Sequence, residues 1–248
     1  MTFSYNKNII LNDISFEINE GEFVGLLGKN GAGKSTLFHC ILNFIKNYNG
    51  EVTIDNINTK TMSRKTMARH ISFISQKHES TFNYSVIDTV MMGAANRMGM
   101  FEKPSEKHYM ESLNALKQLK IDNLSDKLFN NLSGGEQQLV MIARALAQNT
   151  KMIIMDEPTS ALDFYNQEFV MSKIRDISIK NNISFLISSH NPNLVLKYCK
   201  KIIALSNHKI LSFGETNAIL DEDLLYNLYN MKTKIYKTEH GDFIQAII

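Results

Sequence analysis

Eight consecutive residues constrain this chain more than any others. Gly28-Lys29-Asn30-Gly31-Ala32-Gly33-Lys34-Ser35 has the spacing G-x-x-x-x-G-K-[ST]. Phe23 to Leu27 ahead of it is an apolar run of strand length, and Thr36 to Asn43 behind it can continue as a helix. The glycines therefore sit where a buried strand must turn into a helix. Glycine lets the backbone of such a turn curl until several N–H groups converge, and the helix N-terminus adds the positive end of its dipole. Such a nest suits phosphate oxygens. Lys34 is placed to reach the β- and γ-phosphates of a nucleotide, and Ser35 to ligate Mg²⁺. The run Gly28, Lys29, Asn30, Gly31, Ala32, Gly33, Lys34, Ser35 and Thr36 is the expected nucleotide-binding loop.

With 248 residues, 44% of them hydrophobic, the chain has room for one large α/β domain or two lobes sharing a core. Its 27 basic and 25 acidic residues leave a net charge of +2, so the bulk electrostatics point neither to nucleic acid nor to an anionic membrane surface. No stretch approaches the roughly 20 apolar residues of a membrane span, and the N-terminus lacks the plan of a signal peptide. A cytoplasmic location is expected. Cys40 and Cys199 stand far apart, with no second cysteine at metal-ligand spacing, and read as small buried residues.

Alternation of apolar and polar residues predicts strands at Thr2 to Tyr5, Ser15 to Ile18 and Glu51 to Ile54, as a small antiparallel sheet. Phe23 to Leu27, Ile71 to Ser75, Met152 to Asp156 and Ser184 to Ser189 are apolar runs with polar ends, as in parallel strands covered on both faces. From Ser85 to Ala147 the pattern is helical, with Leu113, Leu116 and Leu119 on one face of a helix introduced by Pro104 and Ser105. Strands follow at Lys201 to Leu205 and Lys209 to Phe213, then a helix at Asp223 to Asn230. The expected organisation is a single domain over residues 1–248. Residues 1–84 and 150–248 form a nucleotide-binding core lobe, and residues 85–149 a helical lobe.

Met152-Ile153-Ile154-Met155-Asp156-Glu157 is a strand ending in two carboxylates. Beside a phosphate loop, Asp156 is suited to hold Mg²⁺ directly or through water. Glu157 faces the other way along the strand's alternation, free to take a proton from an attacking water. His190, at the end of another buried strand, can bond the γ-phosphate or orient water, or simply sit at the surface. Gln76 ends a strand in the same way, and its amide oxygen can complete the Mg²⁺ shell or position the water. Tyr5 can stack on a nucleotide base or merely pack.

Leu132-Ser133-Gly134-Gly135-Glu136-Gln137-Gln138 opens a second helix, Leu139 to Ala147, with a serine and two glycines. One nucleotide does not need two phosphate-binding loops in one chain, unless each serves a different half of a shared site. At this point the sequence resembles the nucleotide-binding subunits of ABC transporters. Tyr5, Gly28 to Thr36, Gln76, Leu132 to Gln138, Ile153 to Pro158, Ser160-Ala161-Leu162-Asp163 and His190 fall in the order of that family's adenine-stacking loop, Walker A, Q-loop, signature, Walker B, D-loop and switch histidine.

The resemblance implies an α/β fold: a P-loop NTPase core of the RecA-like type, an N-terminal antiparallel β-subdomain and an inserted α-helical subdomain. It implies ATP with Mg²⁺, and a head-to-tail homodimer in which Ser133, Gly134, Gly135 and Glu136 of one subunit meet the ATP held by the other, with Asp163 in the D-loop. Catalysis would fall to Glu157, His190, Gln76 and Lys34, and the metal to Ser35, Gln76 and Asp156. Tyr84 to Gly93 and Leu132 to Gln148 are similar to the importer branch for iron-siderophore, haem, cobalamin and related oxyanions, with Ala94 where arginine is frequent. A separate membrane permease, an extracytoplasmic binding protein and a peripheral place on the cytoplasmic face of the membrane would follow, with no nucleic acid. An exporter motor, or a soluble relative acting on ribosomes or DNA, is the alternative. Met91, Met92, Met98 and Met100 cluster where such subunits meet the permease, or else fill a helical core.

Overall fold

A computed structural model of the chain describes residues 1–76, 83–99, 101–160, 162–239 and 241–247. In chain order it begins with β1 (Phe3–Tyr5), β2 (Asn8–Leu11), β3 (Phe23–Leu27), α1 (Lys34–Ile41), β4 (Thr53–Ile54) and β5 (Ile57–Asn58). Next come α2 (Arg64–His70), β6 (Ile71–Ile74), α3 (Val86–Met91), α4 (Glu106–Gln118), α5 (Gly134–Ala147), β7 (Met152–Met155) and α6 (Phe164–Asn181). The last part is β8 (Ser184–Ser189), α7 (Pro192–Tyr198), β9 (Lys201–Ser206), β10 (Lys209–Glu215), α8 (Thr216–Ile219), α9 (Glu222–Tyr229), β11 (Thr233–Tyr236) and β12 (Phe243–Ala246). The chain divides into two compact units, Met1–Met62 with Ser184–Ile248, and Ser63–Ile183.

In the first unit β3 lies between β8 and β9, parallel to both, and β9 pairs antiparallel with β10. All five residues of β3 are buried, as a strand covered on both faces requires. The register runs from Phe23 opposite Phe185 to Leu27 opposite Ser189. Gly28 and His190 therefore leave the carboxyl ends of adjacent parallel strands, the place where open α/β sheets put their ligands. The core around this sheet is Leu26, Leu27, Leu37, Phe38, Phe185, Leu186 and Ile203, all fully buried.

In the second unit β6 and β7 are parallel, with Ile71 opposite Met152 and Ile74 opposite Met155. The ladder extends one bond further, from Asp156 N–H to the Ile74 carbonyl at 2.9 Å. Gln76 and the pair Asp156 and Glu157 thus emerge at the same end. Helices α3, α4 and α5 pack together with the turn at residues 92–96. Ser105 opens α4 with a reciprocal cap in which Ser105 N–H donates to His108 Nδ1 at 3.2 Å, and Leu116 and Leu119 are fully buried.

The fold is α/β, but several elements differ from the pattern reading. Ser15 to Ile18 is no strand: Ile14 is buried and Phe16 and Ile18 half-buried, yet the segment lies in no ladder, and Asp13 at φ +55° turns the chain just ahead of it. Its alternation records burial without strand pairing. Glu51 to Ile54 shrinks to β4, because Asp55 and Asn56 at φ +50° and +63° turn the chain straight back into β5. Instead of one small sheet, β1 with β2 and β4 with β5 make two separate antiparallel hairpins. The hairpin of β11 and β12 was not anticipated, nor were α2, α6 and α7. Cys40 and Cys199 are buried free thiols, and burial pushes Cys40 up to about 11.

Candidate functional site

The phosphate loop is built entirely within the first unit. A Cβ on Gly28 would lie 2.5 Å from the Leu205 carbonyl oxygen, so the turn out of β3 closes against β9 only because position 28 has no side chain. Gly31 and Gly33 take φ of +81° and +104°, a region that glycine enters without strain. Gly33 is the N-cap of α1, and Lys34 its first residue. Lys34 is 6% exposed and its ammonium donates to the carbonyls of Gly28 at 2.9 Å and Lys29 at 3.2 Å, which holds the cation across the loop. Lys29, Asn30, Gly31 and Ser35 are exposed, while Ala32, Gly33 and Thr36 are half-buried. Open N–H groups at a helix start, positive-φ glycines and an inward lysine are a donor set that fits phosphate.

Two further predicted residues belong to this unit. Tyr5 is half exposed, its ring edge-on to Phe3 at 4.8 Å, so one aromatic face is presented and the other end is anchored. His190 is exposed between the last paired residue of β8 and the start of α7. Ser189 Oγ accepts the Asn191 N–H at 3.0 Å, and Asn191 Oδ1 accepts the Asn193 N–H at 3.0 Å, so the backbone is bonded on both sides of His190.

The second unit holds the carboxylates. Asp156 is buried, directly beyond β7. Glu157 is not the next alternating residue of a strand: its φ is +48°, and it begins a turn whose carbonyl accepts from Ser160 N–H at 3.2 Å and Ser160 Oγ at 3.1 Å. The left-handed backbone, rather than strand pleating, aims its side chain. Nor is the carboxylate free, since Gln76 Nε2 donates to its Oε2 at 3.2 Å and reaches Ser160 Oγ at 3.5 Å. Gln76, Glu157 and Ser160 form one hydrogen-bonded cluster; the resemblance placed Ser160 at the start of the D-loop, but nothing in the sequence placed it beside Gln76.

Ser133 is the N-cap of α5, and its N–H and hydroxyl both donate to Glu136 Oε2 at 2.8 Å while its Oγ accepts the Glu136 N–H at 3.3 Å. The Ser133 N–H holds the Glu136 carboxyl below the usual glutamate range. Glu136 thus positions Ser133. Ser133 and Gly134 are exposed, and a Cβ on Gly134 would meet nothing within 4 Å. Gly135 is buried, with Asn166 3.1 Å from where its Cβ would stand. Asn166 also donates to Asp163 through N–H at 2.8 Å and Nδ2 at 3.0 Å, linking the signature residues to Asp163 at the N-cap of α6. Sequence reasoning missed Asn166. Ala161 of the predicted D-loop and Met100 of the methionine cluster lie outside the described residues, whereas Met92 is exposed and Met91 and Met98 are half-buried.

The sequence pattern described as ABC transporter matches residues 11–160. A Helicobacter pylori protein named as a probable iron chelatin transport ATP-binding protein is 34% identical over 231 residues, 93% of this chain and 91% of its own. The molybdate import ATP-binding protein MolC of Haemophilus influenzae is 35% identical over 225 residues, 91% of this chain and 83% of its own. Among solved structures, an inward-facing transporter assigned to the metal-chelate type superposes with a TM-score of 0.85 at 32% identity, covering 96% of this chain and 90% of that one. A dimeric ATP-binding cassette in a post-hydrolysis state with ADP and Pi gives 0.75 at 28% identity, covering 86% and 94%. A phosphate loop, a strand-end carboxylate pair and a serine-capped signature helix, in a chain 34% identical to such a relative along 93% of its length, identify it as a member of the ABC transporter family, one of its ATP-binding and ATP-hydrolysing cassettes.

Proposed function

We propose that this chain is the ATP-driven motor of an importer for a metal chelate, working as a head-to-tail homodimer on a separate membrane permease at the cytoplasmic face of the membrane. The observation that carries the dimer is the exposed start of α5. Ser133 and Gly134 are held outward by Glu136 on a helix of 14 residues, in a chain that already has a complete phosphate loop at Gly28 to Thr36. A second anion-binding helix start has a use when the anion belongs to another copy. The γ-phosphate then bonds two surfaces together, and its loss on hydrolysis releases them.

In this reading Lys34 and the loop N–H groups bind the phosphates and offset the charge that develops on them. Glu157, aimed by its left-handed backbone and bonded by Gln76, polarises the water that attacks in line, and His190 bonds the γ-phosphate. Ser35, Gln76 and Asp156 would hold Mg²⁺, which supplies charge neutralisation at the phosphates when bound. Tyr5 stacks on adenine. Among the described residues no helix is long and apolar enough to cross a membrane. The relatives named as ATP-binding proteins of transport and import systems support a separate permease for the passage itself. Relatives named for iron chelatin and for molybdate support import, and their difference supports a selectivity that resides in the partner proteins.

Glu157→Gln tests the motor. The variant should bind ATP, stall hydrolysis and elute as a dimer with ATP and Mg²⁺; a variant that binds ATP yet stays monomeric at every concentration contradicts the sandwich. For the substrate, cells lacking the chain should lose uptake of an iron-siderophore chelate and regain it with the wild type but not with Glu157→Gln. Normal uptake without the chain would assign the cargo elsewhere.

A further inference from the structure

The hairpin of β11 and β12 pairs Thr233 with Ala246, Lys234 with Gln245, Ile235 with Ile244 and Tyr236 with Phe243. Ile247 N–H bonds the Lys232 carbonyl at 2.9 Å, which makes that rung hydrogen-bonded. Rungs alternate in an antiparallel pair, so at Ile235 and Ile244 the backbone groups point outward, away from each other. Both outward positions are taken. On one side Ile235 N–H donates to Glu222 Oε1 of α9 at 3.1 Å. On the other, Asn193 of α7 meets Ile244 twice: Ile244 N–H donates to Asn193 Oδ1 at 2.6 Å, and Asn193 Nδ2 donates to the Ile244 carbonyl at 3.0 Å. A side-chain amide here stands in for a neighbouring strand.

Asn193 follows His190 by three residues. Its own N–H is bonded to Asn191 Oδ1, and Asn191 N–H to Ser189 Oγ. The segment bearing His190 therefore runs from a strand fixed in the sheet to a helix of only seven residues. A helix that short does not hold its own position in water. Leu194 and Val195 bury one side of it, and the part-buried bonds of exposed Asn193 to Ile244 add a second anchor at its start. Packing adds less along the rest of the hairpin, where Thr233 is the one other buried strand residue and an open groove of about 550 Å³ lined in part by Leu196, Glu222, Ile235 and Lys237 lies beside it. The bonds to Asn193 and Glu222 hold the hairpin together with the burial of Thr233 and Ile244.

We propose that Asn193 is a positioning residue for His190, and that the C-terminal hairpin is the brace against which it holds the switch segment. The inference rests on the reading of His190 given above. Asn193 touches no nucleotide in this scheme and acts on the chemical step through the placement of the imidazole, where a shift of about 1 Å is enough to slow a reaction severalfold or more.

The test is a double-mutant cycle on the full chain. Asn193→Ala should lower kcat about tenfold and leave the KM for ATP within about twofold, the pattern of an interaction that matters to the transition state and not to binding. Ile244→Pro, which deletes the outward N–H without removing a bond of the hairpin ladder, should do the same from the other side. Hydrogen exchange of the amides of His190, Asn191 and residues 193–195 should quicken in both. In a His190→Ala background Asn193→Ala should be silent, because two residues acting through one group are not additive. Wild-type kcat in Asn193→Ala, or the same tenfold loss repeated on His190→Ala, overturns the proposal. If Ile244→Pro does not fold, Asn193→Ala alone completes the cycle. Undiminished turnover in His190→Ala by itself would instead refute the role of the histidine, and the brace with it.

Discussion

Among the described residues, nine of the twelve positive-φ positions outside glycine are Asn or Asp, whose short polar side chains tolerate that backbone; Glu157 is one of the three exceptions, with Lys120 and His208. A glutamate held at φ +48° costs on the order of 1 kcal/mol, kept because the turn bonded through Ser160 directs the carboxylate toward Gln76. Glu157→Gly should therefore raise stability by about 1 kcal/mol in urea melts without nucleotide while ATP turnover falls to background, a trade of stability for activity. An unchanged or lower midpoint would mean that no strain is stored there. This residue also marks a limit of the sequence. Met152 to Glu157 announced a strand ending in two carboxylates, and the strand and the buried Asp156 follow it, but a left-handed turn after a strand leaves no periodic trace. Strand alternation gave the wrong reason for the direction of Glu157. Asn193 was likewise silent, because its partner lies 51 residues away in the chain.

Elements buried on both faces were the most legible, since Phe23 to Leu27 and Ser184 to Ser189 are strands from end to end. Segments whose apolar residues do not form one stripe were not. Helix α6 carries exposed Phe164, Tyr165 and Ile179, which blur its period, and the C-terminal hairpin buries only Thr233 and Ile244 among its strand residues. Contacts between elements are invisible in a single sequence. A Cβ on Gly93 would stand 2.2 Å from the Arg144 carbonyl of α5, so Gly93→Ala should push the two segments apart and cost about 1–3 kcal/mol in denaturant melts. A neutral substitution would show that this approach is not tight. The cap of α5 gives a second test. The carboxyl of Glu136 is lowered by the Ser133 N–H, so its contribution is complete above the ordinary glutamate range and is lost as pH falls through the lowered folded value. Glu136→Ala should cost under about 1 kcal/mol near neutrality and flatten the acid limb of the stability curve below the ordinary glutamate range. An acid limb identical to the wild type would exclude the cap as its source.

At the scale of the whole chain, the residues proposed to handle the nucleotide are divided: Lys34 and His190 belong to one compact unit, and Gln76, Asp156, Glu157 and Ser133 to the other. The first unit is assembled from both ends of the chain, with the second inserted as one continuous stretch between Met62 and Ser184. A ligand that binds the native state alone stabilises it by RT ln(1 + [L]/Kd), about 2.7 kcal/mol at a hundred times Kd. If ATP engages residues of both units, that free energy is shared by both, and amide exchange should slow throughout residues 63–183 as well as around the phosphate loop. Glu157→Gln with ATP and Mg²⁺ should show this most strongly, with a melting midpoint that also rises with protein concentration if, as proposed, the liganded form is a dimer. Lys34→Ala, unable to hold the phosphates, should abolish the gain in both units together, which ties the effect to the loop in the first unit. Protection confined to the first unit, with a midpoint independent of concentration, would mean that the nucleotide is bound by the phosphate loop alone and that the carboxylates and the signature helix do not take part.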